Sequence, residues 1–185
     1  MAGRATDILS AFWAPLCAIG SHGEHGPNAQ ICLSVFGASI VPERPRLLVA
    51  LHKTNLTHDL VADSGTLAIT ALSRGSAQLL EPLGLVSGHE KADKLEGLEY
   101  ALTSSGDPYF PAGVAMLECE VLDRHDLGDA TSFLVAVREL AALAGGEPLT
   151  WQDAKGIVGE EFLARWAGKS ARERAAAFAT MTWRD

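Results

Sequence analysis

The chain has 185 residues, 48% of them apolar and 6% aromatic, and its net charge is −8 at pH 7. This length suits one domain with a substantial core and argues against two full domains. The acidic charge, without any Lys/Arg block, argues against a nucleic-acid partner. No apolar run reaches the roughly 18 residues that a membrane helix needs, so we expect no membrane partner.

The three cysteines, Cys17, Cys32 and Cys119, are too far apart for a CxxC pair and too few for a disulfide framework. The first 17 residues contain Asp7 and lack the apolar core of a signal peptide. We therefore expect an unprocessed protein in a reducing, cytoplasmic compartment.

Short apolar runs separated by Gly, Pro, Ser and Asp are typical of a β-rich protein. In chain order, strands are predicted at residues 16–21, 30–39, 46–52, 66–73, 114–126 and 131–140. The run 46–52 is almost wholly apolar, which predicts burial on both of its faces. Pro42 and Pro45 separate it from the preceding strand, because proline cannot continue a ladder. The last two strands are predicted to form an antiparallel hairpin.

Short helices are predicted at residues 6–14, 56–63 and 76–84. Asn55 or Thr57 can cap the second of these helices, and Gly65 can end it. From 151 to 182 the composition changes to Ala, Arg, Glu and Trp at helical spacing, which predicts a helical appendage. Many strands with few helices favour a mainly β fold, an antiparallel barrel that is closed or partly closed.

Several enzyme signatures are absent from the sequence. It contains no GxGxxG, GxxxxGK[ST], GxSxG or HExxH motif, which excludes the dinucleotide, P-loop, hydrolase and zincin sites that these motifs mark. His22 and His25 flank Glu24 in a glycine-rich loop, and we interpret this group as a solvated loop rather than a metal site.

The segment HKTNLTHDL follows the predicted strand 46–52. It places Lys53 at the end of that strand, and Asn55 and Thr57 at the start of the next helix. A cation, side-chain donors and free helical N–H groups together suit a phosphate dianion. The alternative, a capped helix beside a surface lysine, remains open at this point.

A second polar group lies on the strand before it. Asn28 and Gln30 are two residues apart and share a face, and Ser34 shares it if the strand is regular. These groups suit the polar edge of a planar ring or a polyol chain. An edge strand with a polar outer face is the alternative.

Together these segments resemble the flavin reductase-like family of FMN-binding split barrels, and within it the branch of flavoredoxins and rubredoxin-linked flavin domains. The resemblance runs from about residue 16 to 140. It is carried by PNAQICLSVFGAS, VPERPRLLVALHKTNLTHDLVADSG, SGHEKADKLEGLEY, SGDPYFPAGVAMLECEV and DRHDLGDATSFLVAV. It implies an antiparallel split β-barrel with short helices over residues 1–145, and a C-terminal helical extension of the same domain over 146–185.

The resemblance also implies a homodimer that binds FMN and moves electrons from NAD(P)H or a protein donor. The residues implied for the isoalloxazine and ribityl side are Asn28, Gln30, Cys32 and Ser34, and those for the phosphate are Lys53, Asn55 and Thr57. Because the flavin carries the redox chemistry, no catalytic side chain is predicted.

One departure from the family pattern bears on the electron donor. Many NAD(P)H-dependent relatives have Gly-Asp-His before the last strand, whereas this chain has Gly128, Asp129 and Ala130. His125 either substitutes for that histidine or is a solvated turn residue. The alternative function is therefore a flavoredoxin-like electron carrier that works with a redox protein partner and has no NAD(P)H site. A non-redox barrel for another phosphorylated ligand also stays open.

Overall fold

The computed structural model describes residues 15–91, 93–143 and 145–181, so the predicted helix at 6–14 lies outside the described residues. The strands are β1 (Cys17–Gly23), β2 (Gly26–Cys32), β3 (Val35–Gly37), β4 (Arg46–His52), β5 (Thr66–Ala71), β6 (Ala101–Leu102), β7 (Pro108–Tyr109), β8 (Ala115–Asp126) and β9 (Ala130–Ala142). The helices are α1 (Leu56–Ser64), α2 (Leu80–Gly84), α3 (Trp151–Ile157) and α4 (Glu160–Thr180), with a 3₁₀ helix at Arg74–Leu79.

Seven strands form one antiparallel sheet in the order β2-β1-β5-β8-β9-β4-β3. Its two edge strands, β2 and β3, are separated in sequence only by Leu33 and Ser34. Because so short a connection spans only about 3.3 to 3.6 Å per residue, the two edges of the sheet must lie close together. The sheet is therefore curled into a split barrel, and the predicted fold class is confirmed.

Two details of the strand prediction are wrong. The predicted strand at 30–39 is divided into β2 and β3, because at Leu33 and Ser34 the chain stops pairing with β1 and begins to pair with β4. The strand β4 is not buried on both faces. Val49 and Leu51 are fully buried, but Ala50 on the other face is half-buried because it lines a cavity.

Two apolar clusters hold the fold together, one on each face of β1. Ile19 belongs to the cluster formed with β4, β5, β9 and α1, whereas Ala18 belongs to the other. The second cluster includes Trp151 of α3 and Phe162 of α4. The C-terminal helices thus pack directly on the barrel. The division of the chain at residue 145 stays a prediction.

Over the ranges that the structure describes, we find no helix with both the length and the apolar character needed to cross a bilayer.

Candidate functional site

A cavity of about 610 Å³ lies between β2, the end of β4, the start of α1, the segment around α2 and the helix α4. Its volume is typical of small-molecule sites. Of the seven residues predicted from the sequence, it brings together six: Asn28, Gln30, Cys32, Ser34, Asn55 and Thr57. The alternation of β2 accounts for the first three, because side chains two residues apart point to the same face.

Lys53, the seventh predicted residue, is not among the residues that line the cavity. Its Nζ donates to Asp126 Oδ1 at 2.6 Å and to the carbonyl oxygen of Gly128 at 2.8 Å. The backbone explains this direction, because β4 ends beside β9 and the turn before β9 receives the side chain. The structure therefore separates Lys53 from Asn55 and Thr57.

The amide side chains of β2 have unused hydrogen-bonding capacity. Thr57 Oγ1 donates to Asn28 Oδ1 at 3.1 Å. Asn28 Nδ2 and Gln30 Oε1 are both buried and have no hydrogen-bond partner among the described residues. Because buried polar atoms are nearly always paired, a donor and an acceptor left in a cavity wall indicate a polar ligand.

Asn55 occupies the N-cap position of α1, but its side chain makes no capping hydrogen bond. Asn55 is thus at the predicted capping position, but its side chain does not cap the helix. Gly88 lies close by, and a Cβ added there would lie 2.8 Å from Asn28 Nδ2 and 2.9 Å from Leu56 Cδ2. A side chain at this position would have to displace the ends of the Asn28 and Leu56 side chains, so Gly88 lets this segment approach β2 and α1 closely.

Cys32 has the chemistry of a structural thiol. Its Sγ donates to the carbonyl oxygen of Ala50 at 3.5 Å and accepts from the backbone N–H of Ser34 at 3.4 Å. Burial raises the pKa of this thiol to about 11, although the Ser34 N–H acts in the opposite direction. The thiol stays protonated near neutral pH and is not an activated nucleophile.

Lys94 is a cavity residue that the sequence analysis missed. It is only 6% exposed, and its Nζ donates to the carbonyl oxygen of Leu83 at 3.0 Å. The pKa of Lys94 is lowered to about 8, mainly by burial and also by the nearby Lys169, whereas Glu173 acts to raise it. The sequence signal for its burial was the adjacent apolar residue Leu95, which is buried in the core and so places Lys94 below the surface.

The helix α4 forms another wall of the cavity through Trp166, Lys169, Glu173 and Arg174. The Trp166 ring lies 4.8 Å from the Trp151 ring and 5.8 Å from the Phe162 ring, measured between centroids. This aromatic group anchors the helix over the cavity. Together with Lys94, the cations Lys169 and Arg174 outnumber the Glu173 carboxylate on this side of the cavity, which favours an anionic ligand group there.

A histidine marks the β4 side of the cavity. His52 Nδ1 lies 3.5 Å from Asp129 Oδ2, and both residues line the cavity. His52 pairs with Ala130 across the ladder between β4 and β9. His125 is not among the lining residues, and its Nε2 lies 3.5 Å from Asp123 Oδ2. The imidazole at this end thus comes from β4.

Comparison with known proteins identifies a matching domain family and several related sequences. The model of the flavin reductase-like domain family matches residues 9–156. The high molecular weight rubredoxin of Moorella thermoacetica is 32% identical over 126 residues, which cover 67% of this chain and 54% of that protein, so the chain spans about half of its length. The protein of Methylorubrum extorquens named FMN reductase (NADH) RutF 2 is 25% identical over 128 residues, or 68% of this chain and 73% of that protein.

A solved structure agrees with the fold. The flavoredoxin of Methanosarcina acetivorans superimposes with a TM-score of 0.62 at 21% identity, over 73% of this chain and 74% of its own. The family match extends over most of the sequence and includes β1 to β9. The chain therefore belongs to the flavin reductase-like family, as the sequence motifs predicted.

Proposed function

We propose that this protein binds FMN in the cavity and uses it as an oxidoreductase of the flavin reductase type. The observation that carries the proposal is the pair of unpartnered buried atoms, Asn28 Nδ2 and Gln30 Oε1, in a cavity that also contains the buried ammonium of Lys94. A flavin mononucleotide has a ring edge with carbonyl and N–H groups that can pair with the two amides, and a phosphate that can pair with the ammonium.

The amides suit the ring edge by their chemistry. Asn28 Nδ2 is a donor for a ring carbonyl, and Gln30 Oε1 is an acceptor for a ring N–H. The Thr57 hydroxyl donates to Asn28 Oδ1 and so fixes the orientation of the amide, with Oδ1 toward Thr57. Pairing both atoms removes the free-energy cost of two buried unsatisfied groups, about 1 to 3 kcal/mol each.

The phosphate end is assigned to Lys94, with Asn55 at the uncapped start of α1. The Lys94 ammonium is buried and, among the described residues, its hydrogen bond goes to a backbone carbonyl, so a phosphate would give it a direct charge-assisted hydrogen bond. Lys53 is left out of this assignment because Asp126 and Gly128 already hold it.

Bound flavin supplies hydride and single-electron chemistry, and the protein supplies binding, orientation and exclusion of water. Cys32 is kept protonated by burial and takes no part in proton or thiol chemistry. We assign no catalytic side chain. NAD(P)H is the proposed electron donor, in line with the relative that is named an NADH-dependent FMN reductase.

A second candidate function is that of an electron carrier. The relative named a rubredoxin favours it, because that name denotes a redox protein and suggests a protein partner for the flavin. Ala130 also favours it, since the family histidine of the NAD(P)H-dependent members is absent at that position. His52, directly across the ladder, offsets this loss if it faces the nicotinamide.

Titration of the purified protein with FMN, followed by flavin fluorescence, tests binding. Anaerobic mixing of the complex with NADH or NADPH then separates the two functions, with dithionite as the control for full reduction. Loss of the visible flavin absorbance with either nicotinamide supports the reductase. Loss with dithionite alone supports the carrier, and failure to bind FMN refutes both.

We also propose that the protein is a homodimer. The sheet edge at β3 is followed by an exposed apolar pair, with Ile40 fully exposed and Val41 47% exposed, and Phe36 on β3 is 43% exposed. Exposed large apolar side chains at and beside a sheet edge are typical of an interaction surface. Sedimentation at micromolar concentration should give about twice the chain mass. A monomer that retains FMN would refute the proposed dimer and leave the proposed FMN binding intact.

A further inference from the structure

The helix α4 begins at Glu160, beyond the last residue of the family match, yet it forms a wall of the cavity. It approaches α2 so closely that a Cβ added at Gly84 would lie 2.5 Å from the Trp166 ring. Its contribution to the site is therefore an addition to the matched domain, and the charges on it act on whatever the cavity binds.

Three of the charges around the cavity act on one another. Lys169 Nζ and Glu173 Oε1 form an i,i+4 ion pair in which the lysine side chain is 20% exposed and the glutamate 40%. Both also act on Lys94, whose pKa is lowered by burial and by Lys169 and is raised by Glu173. Glu173 thus supplies negative charge to the same cationic group that would hold a phosphate.

We infer that Glu173 is a specificity-determining residue, which opposes the anionic group of the ligand at Lys94 and Lys169 and so weakens selection for a phosphorylated over an unphosphorylated flavin. This inference rests on the proposed function. In a half-buried site the repulsion between Glu173 and a phosphate is screened less than at the surface. Its attraction to Lys169 also competes with the phosphate for that ammonium.

The test compares FMN with riboflavin, which has the same ring and polyol chain but no phosphate. For Glu173→Gln we expect FMN to bind roughly three- to tenfold more tightly, with little change for riboflavin, because only the charged ligand is repelled. Lys169→Gln should have the opposite effect on FMN and again leave riboflavin unchanged. Flavin fluorescence titrations give both affinities, and thermal unfolding checks that each variant is folded.

Glu161→Gln is the matched control. This substitution makes the same change of charge on the same helix, but Glu161 is exposed and is not among the cavity residues. The control should leave the ratio of the FMN to the riboflavin affinity unchanged. The effect of Glu173→Gln should also shrink as salt is added, which a packing effect would not do.

The results have distinct meanings. If FMN binds but the ratio is the same in Glu173→Gln and in the unmodified chain, the inference is overturned and the proposed function stands. If Glu161→Gln changes the ratio as much, the effect is one of overall charge and the specific role of Glu173 is refuted. If the unmodified chain binds neither flavin, the proposed function fails and this inference fails with it.

Discussion

Two lysines in this protein occupy contrasting environments. Lys53 follows β4 in a segment that resembles a phosphate site, but its side chain is 27% exposed and pairs with Asp126, which is 63% exposed. Lys94 lies in an irregular charged segment, and it is 6% exposed and lines the cavity. The comparison indicates that a lysine is suited to bind an anionic ligand when its ammonium is desolvated and has no direct ion pair with an exposed carboxylate. Its position in a sequence motif does not decide this.

The largest effect is expected from Lys94→Met. Met is of similar length, and the change removes the charge together with the hydrogen bond to the Leu83 carbonyl oxygen. The variant should fold, while FMN affinity falls by about 10- to 100-fold, since a charge-assisted bond contributes about 1.5 to 3 kcal/mol. Riboflavin affinity should change little. Fluorescence titration measures both.

Lys91→Met is the control for that change. It removes the same charge from the same segment, but Lys91 is half-exposed and its Nζ lies 3.7 Å from Glu96 Oε2. We expect a change of less than about twofold in FMN affinity, in keeping with an exposed ion pair. Equal losses from both variants would contradict the assignment of the phosphate to Lys94.

The next effect is on the pH dependence of binding. Burial lowers the pKa of Lys94 from 10.5 to about 8, so its ammonium loses its proton as pH rises above that value. Because the protonated form binds the phosphate, FMN affinity should fall by up to about tenfold from pH 8 to pH 9, with no matching loss for riboflavin. Equal pH profiles for the two flavins would refute the role of Lys94.

The same lowered pKa has the opposite effect on stability, which rises with pH where FMN affinity falls. Between about pH 8 and 10.5 the unfolded chain keeps the Lys94 proton that the folded chain has lost. The unfolding free energy from this group therefore rises with pH across that window. Urea unfolding of the unmodified protein and of Lys94→Met should show a difference in pH slope there.

A smaller effect is expected from Thr57→Val. This change removes the hydroxyl that donates to Asn28 Oδ1 and leaves that buried oxygen without its partner. We expect the unfolding free energy to fall by about 1 to 2 kcal/mol and FMN affinity to fall about fivefold as the amide loses its orientation. Thr180→Val is the control, because the Thr180 hydroxyl is exposed and donates to the Ala176 carbonyl oxygen of its own helix. An unchanged FMN affinity in Thr57→Val would show that Asn28 does not meet the ring.

The smallest effect is expected from Lys53→Ala. Its contacts with Asp126 and Gly128 lie outside the cavity, so FMN affinity should change by less than about twofold, and stability by less than about 1 kcal/mol. The measurement is the same titration as for Lys94→Met. A loss of tenfold or more would return the phosphate to Lys53, as the sequence predicted.

Much of the site was predictable because it lies on one strand. Asn28, Gln30 and Cys32 alternate along β2, and alternation alone assigns them to one face. Asn55 and Thr57 follow from the local signals of a helix start. Lys94 was not predictable in this way, since Lys91 lies in the same charged run and differs from it only in how the segment packs.

The sequence by itself determined most of the strands, the helix after β4, the family and the polar face of β2, since these depend on residues close together along the chain. Only the tertiary structure decided that Lys53 turns toward Asp126, that Lys94 is buried, and that α4 lies over the cavity with Lys169 and Glu173. The physical reason is that these outcomes depend on packing between distant segments. Trp166 packs against Trp151 and stacks on Phe162, and these contacts bring the charges of α4 to the cavity.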